Sequence, residues 1–110
     1  MPDHRGEDDR WRAVLDLVDT IPAGRVMTYG DVARHLGMAS PRQVGQVMAR
    51  HGHEVPWQRV VMADGSPASH NPKEHLARLR ADNTPIINGR VDLANARWTP
   101  TQRPSSPNPR

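Results

Sequence analysis

Apolar residues recur at Trp11, Val14, Leu15 and Val18, the i, i+3, i+4, i+7 spacing of one helical face, and predict an amphipathic helix over about 8–20. Ile21-Pro22-Ala23-Gly24 closes it. Thr28-Tyr29-Gly30-Asp31 has the Thr-x-x-Asp form of a capping box, and Val32, Ala33 and Leu36 supply the buried face of a second helix that Gly37 ends in a left-handed cap. Ser40-Pro41-Arg42-Gln43 repeats the device, with serine as cap, proline at the first helical position and glutamine three residues on. Val44, Val47 and Met48 line the apolar face of this third helix, which runs to about Arg50. Two short helices joined by a turn containing Gly37 read as a helix-turn-helix, with 40–50 as its recognition helix.

Downstream the pattern weakens. His51 to Glu54 reads as a loop, Val55 to Met62 is apolar around a polar pair and too short to assign, and Ala63 to Pro67 must turn. Asn71-Pro72-Lys73-Glu74 is a third capping signal, opening a helix through Leu76 and Leu79 that ends near Asp82-Asn83. Ile86 to Val91 alternates around Asn88-Gly89, as a small hairpin or extended wing does. The expectation is a mainly α, small single domain with a winged helix-turn-helix core over residues 8–98. Residues 1–7 are expected to be a flexible N-terminus and the proline-rich 99–110 a disordered tail.

Composition narrows what such a domain does. In 110 residues there is no cysteine, so disulfides, thiolate chemistry and cysteine-zinc sites are excluded. No apolar run approaches the roughly 20 residues of a membrane-spanning helix, and no signal peptide opens the chain, so a cytoplasmic protein is expected, on the nucleoid if the source is bacterial. The histidines at 51, 53, 70 and 75 have no carboxylate or cysteine at a recognised zinc spacing, and neither metal nor cofactor is expected. The net charge of +3 comes from 15 Lys+Arg, almost all arginine, which suits flat, multidentate contact with phosphates and bases. A surplus that small permits a nucleic-acid partner without requiring one. The arginines at 78, 80, 90 and 97 read mainly as a solvated face.

Three motifs decide more than composition: Ile21-Pro22-Ala23-Gly24-Arg25-Val26-Met27-Thr28-Tyr29-Gly30, then Arg42-Gln43-Val44-Gly45, then Pro56-Trp57-Gln58-Arg59-Val60. Over about residues 11–98 the chain resembles the DNA-binding domain of O6-alkylguanine-DNA alkyltransferases, whose site reads Pro-Cys-His-Arg-Val. The closing Gly89 to Leu93 with Arg97-Trp98 is similar to the alkyltransferase-like branch, which lacks the reactive cysteine. The N-terminal domain that full alkyltransferases usually carry is expected to be missing.

The resemblance implies a protein that performs no chemistry. Trp57 stands where the alkyl-accepting cysteine would be, and Gln58 replaces the histidine of the proton relay, whose glutamate falls near Asp82. It implies that the recognition helix enters the minor groove and that O6-alkylguanine is rotated out of the duplex into a pocket, since the alkylated oxygen lies on the pairing edge. Tyr29, Arg42, Gln43 and Gln46 would contact DNA, with Arg42 filling the vacated space and Tyr29 pressing on the backbone. The pocket would be formed by Tyr29, Pro56, Trp57, Arg59 and Ser69, although the match also makes Arg59 structural. Trp98 would pack as a lid on the core or on Trp57. The implied partners are double-stranded DNA containing O6-alkylguanine and nucleotide excision repair proteins, with the protein a monomer. A sequence-specific helix-turn-helix regulator is the alternative from another class, although Gln43, Gln46 and Arg50 are thin equipment for reading bases and no dimer helix is evident.

Overall fold

Alternation along two very short strands divides the interior in two. β1 (Met27–Thr28) and β2 (Val60–Val61) pair in parallel, Met27 with Val60 and Thr28 with Val61. Successive strand residues face opposite ways. Met27 and Val60 therefore join one buried cluster, while the flanking Val26 and Val61 join another. The structure, a computed structural model, describes residues 4–68 and 71–100, with side chains from Arg10 onward.

The first cluster is helical. α1 (His4–Thr20) contributes Val14, Leu17 and Val18, α2 (Tyr29–Leu36) contributes Val32 and Ala33, and α3 (Pro41–His51) contributes Val44. α1 opens at His4, ahead of the expected start at about 8. The Pro-rich tail is described only at Thr99 and Pro100, and its remainder lies outside the described residues.

Capping places α2. Thr28 Oγ1 accepts the Asp31 N–H at 3.0 Å and Asp31 Oδ2 accepts the Thr28 N–H at 3.1 Å, the reciprocal box foreseen from the sequence. Gly37 ends the helix at φ 68°. At α3 the box does not form. Ser40 makes no side-chain cap, and Gln43 Oε1 reaches one residue further back to accept the Ala39 N–H at 3.0 Å.

The second cluster holds the rest of the chain. α4 (Pro72–Ala81), opened by Asn71 Oδ1 accepting the Glu74 N–H at 3.3 Å, buries Leu79 against Val61 and Val91. β3 (Ile86–Ile87) and β4 (Arg90–Val91) form the antiparallel hairpin, turning through Asn88 at φ 54° and Gly89 at φ 78°. Gly65, at φ 89°, lies so close to the Val91 backbone that a Cβ would collide with the Val91 carbonyl oxygen, and its own carbonyl accepts the Val91 N–H at 2.9 Å. After α5 (Leu93–Ala96) the chain returns beside β1, where the Trp98 N–H donates to Val26 O at 2.7 Å. This return makes Arg97 a clamp rather than part of a solvated face: its Nε and Nη2 donate to the two Asp31 oxygens at 2.9 and 2.6 Å. Burial works against the Asp31 charge, but the Arg97 and Thr28 hydrogen bonds outweigh it and hold the carboxyl below its ordinary value.

Candidate nucleic-acid interface

One face of α3 fronts open space, with only Met48 on it also touching the core. Pro41, Arg42, Gly45, Met48 and Ala49 share it, at the spacing that stacks residues along one side of a helix, and together they line an open cavity of about 790 Å³. Tyr29 and Gly30, at the start of α2, form its near end. The far side is built by Trp57, Met62, Ala63, Ala68 and the first turn of α4 through Glu74, with Asn71 before it. Tyr29 is half-buried there, and burial raises its phenol above the ordinary value, keeping it neutral.

A tight turn aims Trp57 at this cavity. Pro56, at φ −72° and ψ 70°, is the centre of an inverse γ-turn in which the Trp57 N–H donates to Val55 O at 2.6 Å. A single 3-10 turn over Trp57–Arg59 follows, and it sends the next two side chains inward. Gln58 Nε2 donates to Asp82 Oδ2 at 3.1 Å; Arg59 Nε and Nη2 donate to Asp82 Oδ2 and Oδ1 at 2.9 and 3.0 Å, and Arg59 Nη1 to Ile21 O at 2.8 Å. The Arg59 hydrogen bonds hold the Asp82 carboxyl below its ordinary value, and the same contact raises the Arg59 guanidinium. Asp82 caps the C-terminus of α4, where the helix dipole disfavours an anion, so Arg59 also offsets that repulsion.

The indole is braced from behind. His75, 1% exposed, presents its ring to Trp57 edge-on at 5.1 Å and 64°, and the Arg78 guanidinium lies 5.2 Å from the Trp57 ring centre. Arg78, expected on a solvated face, is thus part of the wall's support, and Glu74 holds it by accepting from Nε at 3.0 Å. His75 Nε2 lies 2.9 Å from Gln58 O, which can only accept, so the proton sits on Nε2 and Nδ1 is left as a buried lone pair without a partner. Burial depresses the His75 pKa, and the bond to Gln58 O offsets this only in part. A proton that the unfolded chain takes up below about pH 6.5 is thus resisted by the fold. Stability is full above that pH and falls as pH drops from there to the lower folded value. His75→Gln is expected to remove this step from a plot of urea midpoint against pH, leaving only the carboxylate losses below about pH 4. A step of equal size in the variant would show that another group causes it.

The expected site residues separate into four sets. Tyr29, Arg42 and Trp57 meet at the cavity. Pro56 and Arg59 do not line it: Pro56 forms the turn behind the indole, and Arg59 is consumed in the interior. Gln46 is exposed on α3 away from the cavity walls, and the Gln43 amide is tied to Ala39, leaving it less available to a base. Ser69 lies outside the described residues. Trp98 packs on the first core cluster and is not part of the wall. Met48, Met62, Glu74, His75 and Arg78 were not foreseen as site residues. Only the i, i+4 spacing of Glu74 and Arg78 signalled a pair, and nothing in the sequence pointed it at Trp57. Among the described residues no three histidine, aspartate or glutamate side chains gather as metal ligands, and no helix is long and apolar enough to cross a membrane.

A helix-turn-helix whose second helix fronts a cavity, with the tryptophan of Pro-Trp-Gln-Arg-Val on the opposite wall, defines a DNA-binding domain of the alkylguanine transferase type. The profile of the 6-O-methylguanine DNA methyltransferase DNA-binding domain matches residues 9–84, and the chain belongs to that family. It is 38% identical over 98 residues to a DNA base-flipping protein of Escherichia coli, covering 84% of this chain and 76% of that protein. It is 48% identical over 63 residues to alkyltransferase-like protein 1 of Schizosaccharomyces pombe, covering 54% and 57% of the two chains. A bifunctional methyltransferase/endonuclease of Picrophilus torridus is 36% identical over 95 residues, and there the match spans 82% of this chain but only 32% of the relative. The fold superposes on S. pombe Atl1 in complex with damaged DNA containing O6-carboxymethylguanine with a TM-score of 0.76 and 31% identity, covering 84% of this chain and 97% of that one.

Proposed function

We propose that this protein is a non-enzymatic sensor of alkylated DNA, which binds duplex DNA through α3, flips O6-alkylguanine into the cavity walled by Trp57, and marks it for nucleotide excision repair. The observation that carries the reading is the indole itself. It is a wall of the cavity, at the position where the family's motif keeps its acceptor cysteine, in a chain with no cysteine. Its nitrogen lone pair belongs to the ring and its N–H only donates, so it accepts no alkyl group at neutral pH; what it offers is a broad apolar surface. Gln58 and Asp82 keep the outline of a relay, but the Gln58 amide does not titrate near neutral pH and Asp82 is held ionised, so no proton is relayed.

Tyr29 and Arg42 complete the mechanism. Rotating a base from the stack costs a few kcal/mol, least where pairing is already damaged, and that difference supplies part of the selectivity. The exposed guanidinium of Arg42, at the cavity's edge, is flat enough to stack in the vacated space and has donors in its plane for the orphaned partner base. Tyr29, neutral and fixed at the start of α2, would press the backbone beside the flipped nucleotide. A relative named as a DNA base-flipping protein, another named as an alkyltransferase-like protein, and a relative in complex with damaged DNA containing O6-carboxymethylguanine support this assignment. In this reading the protein acts as a monomer in the cytoplasm, and its further partners are excision repair proteins. The sequence-specific regulator has less support, because Gln43 Oε1 already accepts the Ala39 N–H and cannot also pair with a base edge in the two-point contact a glutamine makes with adenine.

The test is a titration of matched short duplexes carrying guanine or O6-methylguanine at one position and one salt concentration, followed by mass analysis of protein and DNA. The expected result is at least about tenfold tighter binding of the lesion, a difference of ~1.4 kcal/mol, with both masses unchanged. Equal affinities would remove the sensor reading, and a methyl group gained by the protein would make it an enzyme.

A further inference from the structure

We infer that Glu74 makes the cavity selective for the charge of the O6 substituent, favouring adducts that end in a cation or a hydrogen-bond donor over those that end in a carboxylate; the inference rests on the lesion-sensing reading above. Glu74 is the single acidic side chain among the cavity's described walls, which on the Trp57 side also include the amide of Asn71 and the apolar surfaces of Trp57, Met62, Ala63 and Ala68. Its position relative to Trp57 follows from a chain of contacts. Glu74 Oε2 accepts from Arg78 Nε and Nη2, both at 3.0 Å, and the Arg78 guanidinium lies 5.2 Å from the Trp57 ring centre. The carboxylate is thereby tied to the end of the cavity where the indole stands, which in this reading is the end that receives the alkyl group.

The two oxygens of Glu74 differ in what they leave free. Oε2 is occupied by Arg78, whereas Oε1 has only a long contact, 3.5 Å, with Asn71 Nδ2. A hydroxyl or ammonium at the tip of an adduct would find an acceptor there. A carboxylate would meet a like charge while Arg78 is already engaged. Arg42 and His53 are the other polar groups of the wall that carry or can carry positive charge. Both belong to the α3 side, and in the proposed mechanism Arg42 enters the duplex, so the offset to Glu74 on the α4 side comes from Arg78, which pairs with Oε2, reduces the effect and leaves Oε1 as the acceptor. Glu74 is about half exposed, 47% of its side-chain surface, so water and salt screen its field and the selectivity is modest. Exposed charge pairs of this kind correspond to roughly threefold in affinity each, or about tenfold between adducts of opposite charge.

The experiment uses one duplex carrying, in turn, O6-propyl-, O6-(2-hydroxyethyl)-, O6-(2-aminoethyl)- and O6-carboxymethylguanine, a series of nearly constant size, with the unmodified duplex as reference and fluorescence anisotropy as readout. The wild-type protein is expected to bind the aminoethyl duplex about tenfold more tightly than the carboxymethyl one, with the neutral adducts between them and the spread narrowing at high salt. Glu74→Gln keeps the length of the side chain and an oxygen for Arg78, and should bring the aminoethyl and carboxymethyl affinities to within about twofold of each other. Carboxymethyl binding as tight as aminoethyl in the wild type, or an unchanged spread in the variant, overturns the inference. If no adduct is bound more tightly than guanine, it is the sensor reading that has failed, and charge selectivity falls with it.

Discussion

Replacing Asp82 with alanine is expected to remove about 3–5 kcal/mol of stability and to lower the thermal midpoint by on the order of 10–20 °C. The carboxylate is 12% exposed, its partner Arg59 18%, and three donors from Gln58 and Arg59 converge on it. Alanine would strand a guanidinium whose remaining partner is Ile21 O, and would orphan the amide of a glutamine that is 7% exposed. Removing one side of such a pair costs far more than the pair contributes over an apolar substitute, because the desolvated charge that remains has nothing to offset it. The double change Arg59→Met with Asp82→Leu is therefore expected to recover much of the loss. Acid provides a second signature. The folded Asp82 carboxyl lies below the unfolded value of about 3.9, so its contribution is full above that pH and is lost as pH falls through the folded value. Circular dichroism melts should show the gap between wild type and Asp82→Ala closing below about pH 4. A gap that is small at pH 7, or one that does not close in acid, would mean that this ion pair does not hold the segment behind Trp57.

The same pair shows where sequence reading stops. Helices announce themselves by contacts three and four residues apart, and the Thr28-Asp31 box, the Gly37 cap and the Asn71 cap were legible because each is closed within a turn of chain. The Ser40 device was misread because Gln43 takes a donor one residue further back than the box requires: its oxygen accepts the Ala39 N–H, and Ser40 caps nothing. Two-residue strands carry no period, so the Met27–Val60 pairing that splits the core had no signature. Arginine is the other blind spot. Arg59, Arg78 and Arg97 look alike along the chain, yet one is buried on Asp82, one lies over the indole and one clamps Asp31 across 66 residues. Of the site, Tyr29, Arg42 and Trp57 were found through motif resemblance rather than through pattern, and the supports of the indole, His75 and Arg78, only through the fold.

Those supports bear on the change expected to have the largest effect on binding. Trp57→Ala should weaken binding of an O6-methylguanine duplex by about 10–100-fold while leaving the unmodified duplex within about twofold, since an aromatic surface under a base is worth roughly 1–3 kcal/mol. The cavity would lose its broadest apolar wall, and His75 and Arg78 would lose the ring they brace. Trp57→Phe, which keeps a ring at that position, should retain most of the discrimination, separating the loss of the wall from disturbance of the fold. Arg42→Ala is the necessary companion, because it distinguishes an intercalating side chain from an ordinary phosphate contact. A phosphate contact would be missed equally on both duplexes, and its removal would flatten the dependence of log affinity on log salt by about 0.9. An arginine that fills the space of a rotated base is missed only where rotation occurs, so Arg42→Ala should reduce lesion affinity by at least about tenfold, change the undamaged duplex far less, and leave the salt slope near its wild-type value. If both variants keep the wild-type ratio of lesion to guanine affinity, the cavity between α3 and Trp57 is not the place where the alkylated base is held.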